Sequence, residues 1–384
     1  MNEYKNIMFF ISTVGHGLGG HFYSLRDIAN SLSNHCKVCI VNIGKKKSPV
    51  LENLSYEVHF IPFCGTNFLS AYKELKKVYK NFNPDILHAF DTEVFFFTRI
   101  LSLLTHKPAI LTKCGGPNPK KFFPTAKNLI LFSKENYDYF QHKKNLNLAL
   151  IPNRIIEPAV DNERINLLKS KYNLDNKFVI LRIGRVTKHY QKTIEQTINL
   201  VHHLIKEGFP VCFIHIGKIQ DTNLLKDLMN LCYKLELSDN VFFEYDDMFT
   251  KNASELIGLG DFIVGTGRGF MEASAAGKWI LVPNDNMTFP LLVTQDNFDI
   301  AFKFNFSPRI VCNISPTENL KSIEKIITNN IKQCDFARQW FDSYFNVNNA
   351  IEKYLNYYST AIYDKKIHLI NLILHFIKLI KNFI

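Results

Sequence analysis

A chain of 384 residues, 46% of them hydrophobic, is longer than one core ordinarily serves, and two domains of common size are the natural division. Its formal charge of +11 calls for an anionic partner and leaves three classes open: a nucleotide phosphate, an anionic membrane face or a nucleic acid. Eight scattered cysteines form no disulfide framework, and no apolar run reaches the roughly 18 residues of a spanning helix. With no signal-peptide pattern in "MNEYKN", a cytoplasmic protein is expected.

The first elements are an apolar strand, "NIMFFISTV", the turn "GHGLGGHF", and "SLRDIANSL", where Leu25, Ile28, Ala29 and Leu32 recur at helical spacing. Gly15, Gly17 and Gly20 match G-x-G-x-x-G, whose glycines bring backbone N–H groups close to a phosphate at a helix N-terminus. A nicotinamide site also needs a carboxylate about 20 residues on, at the end of the second strand. There the chain reads "CKVCIVNIGKKK", and Asn42 with a lysine run does not replace that acid. Cys36 and Cys39 stand three apart in this apparent strand, so they point to opposite faces and are read as packing, not as a metal or redox pair.

Apolar runs then alternate with amphipathic ones through "YEVHFIPF", "FLSAYKELKKVYKNF", "PDILHAFD", "TEVFFFTRILSLL", "PAILTKCGG", "NLILFS" and "LNLALIPN". The rhythm restarts at "FVILRIGR" and runs through "TIEQTINLVHHLIKEG", "PVCFIHIG", "NVFFEY", "DFIVGTG" and "KWILVP". The expected fold is α/β, two facing doubly wound domains divided as 1–153 and 154–339. Ligands of such sheets bind outside the carboxyl ends of the strands, so facing domains would enclose one cleft. His88, Asp91, Gly115 and Gly116 stand at strand ends of the first domain. A histidine there is more often structural, and a functional role for His88 stays open beside that reading.

In the second domain Arg185 lies just past a strand, with Lys188 and Lys192 beyond it, cations suited to a diphosphate or simply to a solvated surface. In "DFIVGTGRGFMEASAAGKWILVP" a strand ends at Gly265, and a short helix follows whose Gly269, Phe270 and Met271 amides would aim at an anion. Glu272, placed in the first turn, would accept from a ribose diol or merely favour the helix dipole. In the tail, "KKIHLINLILHFIKLIKNFI", Asn371, His375, Lys378 and Asn382 draw a polar stripe on an apolar helix. The expectation is an interfacial helix over 364–384, with Lys365, Lys366, Lys378 and Lys381 meeting anionic headgroups. The alternative is a helix docked on the protein's own core or on a second copy.

Taken together, "GHGLGGHFYSLRDIANSL", "PDILHAFD", "LIPNRI", "RIGRVTKHYQK" and "GRGFMEASAAGKWILVP" resemble the GT-B fold glycosyltransferases of the group 1, retaining, family 4-like type. The resemblance covers roughly residues 5 to 360 and rests on ordered motifs from both domains. It implies a nucleotide-sugar donor, a UDP-sugar, transferred with retention and with neither metal nor cofactor. By it, Gly19 and Gly20 approach the donor phosphates or the acceptor, and Arg185 and Lys192 hold the diphosphate and stabilise it as it leaves. Glu272 takes the ribose within a loop of Arg268, Gly269, Phe270 and Met271. His88 joins the catalytic set, and Gly20, Cys114, Gly115 and Gly116 form the acceptor side. A closing helix, about 340–363, would return to the first domain.

Two departures stand out. The family's first glutamate, eight residues before the second, falls here on Val264 inside the strand, and its common histidine is Cys114 in "TKCGG". The basic tail suggests a lipid-linked or cell-surface glycan as acceptor, handled at the inner face of the plasma membrane. Rival readings are a nucleotide-sugar 2-epimerase of the same fold and a basic membrane- or RNA-binding protein. The aromatics sit in apolar runs instead of among exposed cations, which argues against nucleic acid.

Overall fold

The computed structural model describes residues 6–119 and 123–384, and the chain divides into two compact units, 1–156 with 346–384 and 157–345. The first unit begins with β1 (Ile7–Thr13), α1 (Gly20–Leu32), β2 (Val38–Gly44), β3 (Glu57–Pro62), α2 (Phe68–Phe82), β4 (Ile86–Ala89) and α3 (Phe95–Thr105). It continues with β5 (Ala109–Lys113), β6 (Asn128–Leu131), α4 (Lys134–Gln141) and β7 (Asn147–Leu150). The strands form one parallel sheet in the order β3-β2-β1-β4-β5-β6-β7. β1 is buried along its whole length because both faces are covered. Ile7, Phe9 and Ile11 enter one cluster, Met8 and Phe10 the other. Cys36 and Cys39 fall in these two separate clusters, as packing residues.

The second unit holds α5 (Asn162–Tyr172), β8 (Phe178–Ile183), α6 (Gln191–Lys206), β9 (Val211–Ile216), α7 (Thr222–Lys234) and β10 (Val241–Glu244). After them come α8 (Asp247–Thr250), β11 (Phe262–Val264), α9 (Arg268–Ala275), β12 (Trp279–Val282) and β13 (Leu291–Leu292). Three helices close the unit: α10 (Phe298–Lys303), α11 (Pro316–Thr328) and α12 (Asp335–Trp340). Its sheet runs β10-β9-β8-β11-β12-β13, parallel except for the last pair. Both units are therefore doubly wound, and in each the strand order reverses beside the first strand. The crevices fall between β1 and β4 and between β8 and β11, the positions where such sheets bind ligands.

The chain re-enters the first unit where Val347 N–H donates to Ile155 O at 3.1 Å. α13 (Ile351–Ser359) then buries Tyr354, Tyr357 and Tyr358 against the sheet. α14 (Leu369–Phe383) covers the other side, with Leu379 and Phe383 in the core beside partly buried Leu372 and Phe376. Here the orientation read from the tail is overturned in part: Asn371, His375 and Asn382 of the polar stripe turn inward while Lys378 stays exposed, and the apolar face is divided between core and surface. Asn371 Oδ1 accepts from Thr125 N–H at 2.9 Å, His375 Nε2 meets Thr92 O at 2.5 Å, and Asn382 Nδ2 donates to Glu93 Oε1 at 3.2 Å. Ile370, Ile373, Leu374 and Ile377 face outward instead. No helix among the described residues is long and apolar enough to cross a membrane.

Candidate functional site

At the second unit's crevice the two expected segments stand on neighbouring strands. β8 ends at Ile183 and gives way to Gly184 and Arg185, while β11 ends at Val264 and gives way to Gly265, Thr266 and Gly267. Gly217, after β9, packs so tightly on this turn that a Cβ there would collide with Gly184 O. Arg185 is half-buried and makes only a long hydrogen bond, 3.5 Å, to Gln220 Oε1. Lys192, the second residue of α6, reaches Asp285 O at 2.9 Å and its Oδ1 at 3.3 Å. That pair is exposed and therefore weak, so the ammonium can turn to a ligand at small cost. Lys188 lies exposed in the preceding turn.

α9 begins at Arg268, after Gly267 at φ +49°, so Glu272 is its fifth residue and sits in the second turn. The helix-dipole role of a first-turn acid is thereby removed. Glu272 is buried, and its Oε1 accepts from Arg268 Nε at 2.7 Å. Two of the expected anion donors are placed differently. Gly269 N–H donates to Thr266 O at 3.1 Å and Met271 N–H to Gly267 O at 3.3 Å. The Phe270 ring is spent on packing, stacked on Phe306 at 3.5 Å. Val264, where the family's first glutamate would stand, is buried, and Arg268 is the polar side chain that the shortened loop supplies.

The first unit's crevice is framed by the glycine turn after β1. Gly17 adopts φ +69° and would bring a Cβ to 2.9 Å of Ser48 Cα, so this position requires glycine. Asn42 explains itself here. Its side chain donates to Thr13 Oγ1 at 2.7 Å and accepts from Ser48 N–H at 2.9 Å, and Ser48 Oγ donates to Gly17 O at 2.6 Å. The residue in the ribose-binding position therefore ties the turn together. Gly19 precedes α1 and offers no side-chain cap, while a Cβ on Gly20 would meet nothing within 4 Å. Gly115 and Gly116, at φ +93° and +76°, form the turn after β5 that only glycine adopts readily. Cys114 Sγ lies 3.4 Å from Phe90 O, and burial raises its thiol pKa, which keeps it neutral. At the end of β4, Asp91 accepts from Ser12 N–H at 2.6 Å and Val94 N–H at 2.9 Å. Burial, with the Glu93 charge adding to it, pushes its carboxyl up to about 7.

His88 does not join the site. It is fully buried, with Nδ1 3.0 Å from the Tyr358 hydroxyl and Nε2 2.7 Å from Thr112 Oγ1, and so fastens α13 to the sheet. Burial pushes its imidazole down to about 3 from 6.5. The native state therefore binds its proton less tightly than the unfolded chain does. The stability that neutral His88 contributes is full above about 6.5 and is lost as pH falls toward about 3, at most about 1.4 kcal/mol per pH unit. Thermal melts across that window are expected to steepen with acid. His88→Gln lowers the melting temperature at neutral pH but flattens the slope, and an unchanged slope would contradict this account.

Among the described residues, Cys39, Glu57 and His59 are the one group with the spacing of metal ligands. They lie toward the amino ends of β2 and β3, away from both crevices, and burial with the Glu57 charge pushes the Cys39 thiol up to about 12. Arg182, a buried guanidinium in β8, carries no sequence signal and looks like one more strand residue in "FVILRIGR".

A family model described as glycosyl transferase 4-like matches residues 16–147, and no curated protein sequence matches the chain. Among solved structures the chain is similar to Anabaena HepE in complex with UDP and glucose, at 15% identity and a TM-score of 0.67, over 93% of this chain and 100% of that one. It is similar to a glycosyltransferase from Rickettsia africae at 15% identity and a TM-score of 0.69, over 94% and 98%. A candidate UDP-N-acetylglucosamine 2-epimerase from Listeria monocytogenes matches at 12% identity and a TM-score of 0.61, over 95% and 100%. At such identities the likeness is one of fold, and the fold is GT-B.

Proposed function

We propose that the chain is a retaining glycosyltransferase that moves a sugar from a nucleotide-sugar, read as a UDP-sugar, to a lipid-linked or cell-surface glycan without a metal. The observation that carries this reading is that Arg185 follows β8 and the Arg268–Glu272 segment of α9 follows β11, two strands adjacent at the second unit's crevice. Arg185 and Lys192 take the diphosphate, and Glu272 takes the ribose. As the glycosidic bond breaks, negative charge grows on the leaving diphosphate, and fixed cations stabilise it most at that moment. The acceptor hydroxyl attacks from the leaving-group face and gives its proton to a phosphate oxygen. The acceptor lies toward Gly20 and Cys114–Gly116. The bound UDP and glucose of HepE, on the same fold, support the choice of donor.

The 2-epimerase likeness favours a second reading, in which the nucleotide-sugar itself is rearranged. Supplying nucleotide-sugar alone separates the two, because an epimerase turns over without acceptor. A thermal-shift series of nucleoside diphosphates tests the donor class: stabilisation by UDP over GDP and ADP is expected, and no stabilisation by any of them would sink the reading.

The acceptor's setting follows from α14. Its outward isoleucines and Leu374 form an apolar strip with Lys378 and Lys381 exposed beside it. Lys365 and Lys366 are exposed before the helix, and Lys45 Nζ lies 3.4 Å from Ile384 O at its end, followed by exposed Lys46 and Lys47. An apolar strip rimmed by ammonium groups suits an anionic bilayer surface, with the protein peripheral on the cytoplasmic face.

A further inference from the structure

Arg182 is 5% exposed, and neither Nε nor Nη1 meets a hydrogen-bond acceptor. It pairs in register with His215 of β9, and its side chain runs along the strand toward the crevice end, since a Cβ on Gly184 would collide with Nη1. His215 Nε2 donates to Gly184 O at 2.8 Å, which leaves Nδ1, also buried, without a partner. The guanidinium lies over the Tyr190 ring at 4.8 Å. Burial pushes its pKa down to about 10, Tyr190 opposing and Arg185 adding to the fall, so it remains charged at neutral pH.

A buried cation without a counter-charge opposes folding, and the face of one aromatic ring offsets only part of that cost. A methionine of similar length would fold at least as well. The charge therefore serves something other than the fold. Arg185 lies three residues on, past the end of β8 and less buried, and Lys192 stands in the first turn of α6, whose N-cap residue Tyr190 supplies no side-chain cap. Arg182 and Arg185 thus oppose one another where β8 ends, and Lys192, held by Asp285 in the free protein, stands beyond them.

We propose that Arg182 is an electrostatic positioning residue for the nucleotide diphosphate, a third cation set beneath the Gly184–Arg185 turn. It acts through the turn, without touching the donor. In a medium of low dielectric its charge is felt strongly by a phosphate group held at Arg185, and most strongly when that group leaves with full charge. This inference rests on the donor reading above.

The test uses the full chain and calorimetric titration with UDP, GDP or ADP, whichever binds the wild type best, and with the matching nucleoside. Arg182→Met is expected to raise the melting temperature of the free protein and to weaken diphosphate binding by about ten- to a hundredfold. Nucleoside affinity changes little, and Arg182→Lys restores most of the diphosphate-to-nucleoside ratio. A lower melting temperature with that ratio unchanged in Arg182→Met would make Arg182 a packing residue. Should the methionine variant not fold, the ratio in Arg182→Gln against Arg182→Lys decides in the same way. A wild type that binds no nucleoside diphosphate overturns the donor reading itself. A wild type that binds, with Arg185→Ala impaired and every Arg182 variant normal, overturns only the role of Arg182.

Discussion

Arg185→Ala lowers turnover by about a hundred- to a thousandfold while leaving the melting temperature near that of the wild type. The two halves of this expectation have separate causes. The side chain is half-buried, and its long hydrogen bond to Gln220 contributes little to the fold. Its charge stands at the carboxyl end of β8, where under the proposed function a leaving diphosphate would gain most from it. The loss is therefore expected in kcat more than in KM. Glu272→Ala behaves differently. Glu272 is buried against Arg268, so its removal weakens donor binding by about tenfold or more and also disturbs the α9 segment. Steady-state kinetics with donor varied at saturating acceptor separate these effects. Near-wild-type constants in both variants would overturn the site assignment.

The sheets were legible because central parallel strands are buried on both faces and read as continuous apolar runs, β1 and β9 most clearly. Glycines at the strand ends marked the crevices for a similar local reason. What stayed hidden depended on distant partners. Whether His88 faces a ligand or the core is decided by Tyr358, 270 residues away, and by Thr112 on the next strand. Glu272 was assigned to the wrong turn because a helix start is set by the φ +49° of Gly267, which "GTGRGF" leaves ambiguous. Arg182 gave no signal at all. An arginine in a strand pattern reads as a solvent-facing residue, and only the covering by Tyr190 and Gly184 buries it.

α14 shows the same limit most sharply, and it carries the second large effect. Helical periodicity separates a polar stripe from an apolar face but does not say which one docks. Here Asn371, His375 and Asn382 satisfy groups of the first unit, and Leu379 and Phe383 fill its core. Leu379→Ala or Phe383→Ala is therefore expected to cost about 2–5 kcal/mol of stability, and removal of residues 365–384 more than either. Loss of vesicle binding after that truncation would report unfolding as readily as a missing anchor. The outward face supplies the cleaner comparison. Ile373→Ser with Ile377→Ser removes exposed apolar surface without opening the core, so the melting temperature is expected to hold. Sedimentation with phosphatidylcholine vesicles containing phosphatidylglycerol is expected to fall about tenfold or more, since each buried isoleucine contributes about 1.5–3 kcal/mol to partitioning at most. Lys378→Glu with Lys381→Glu would weaken the same binding and reduce its salt dependence, at about 1 kcal/mol per lysine. Unchanged sedimentation in the serine variant would refute the membrane face. A wild-type dimer that the serine variant dissolves would assign the strip to a second copy of the chain.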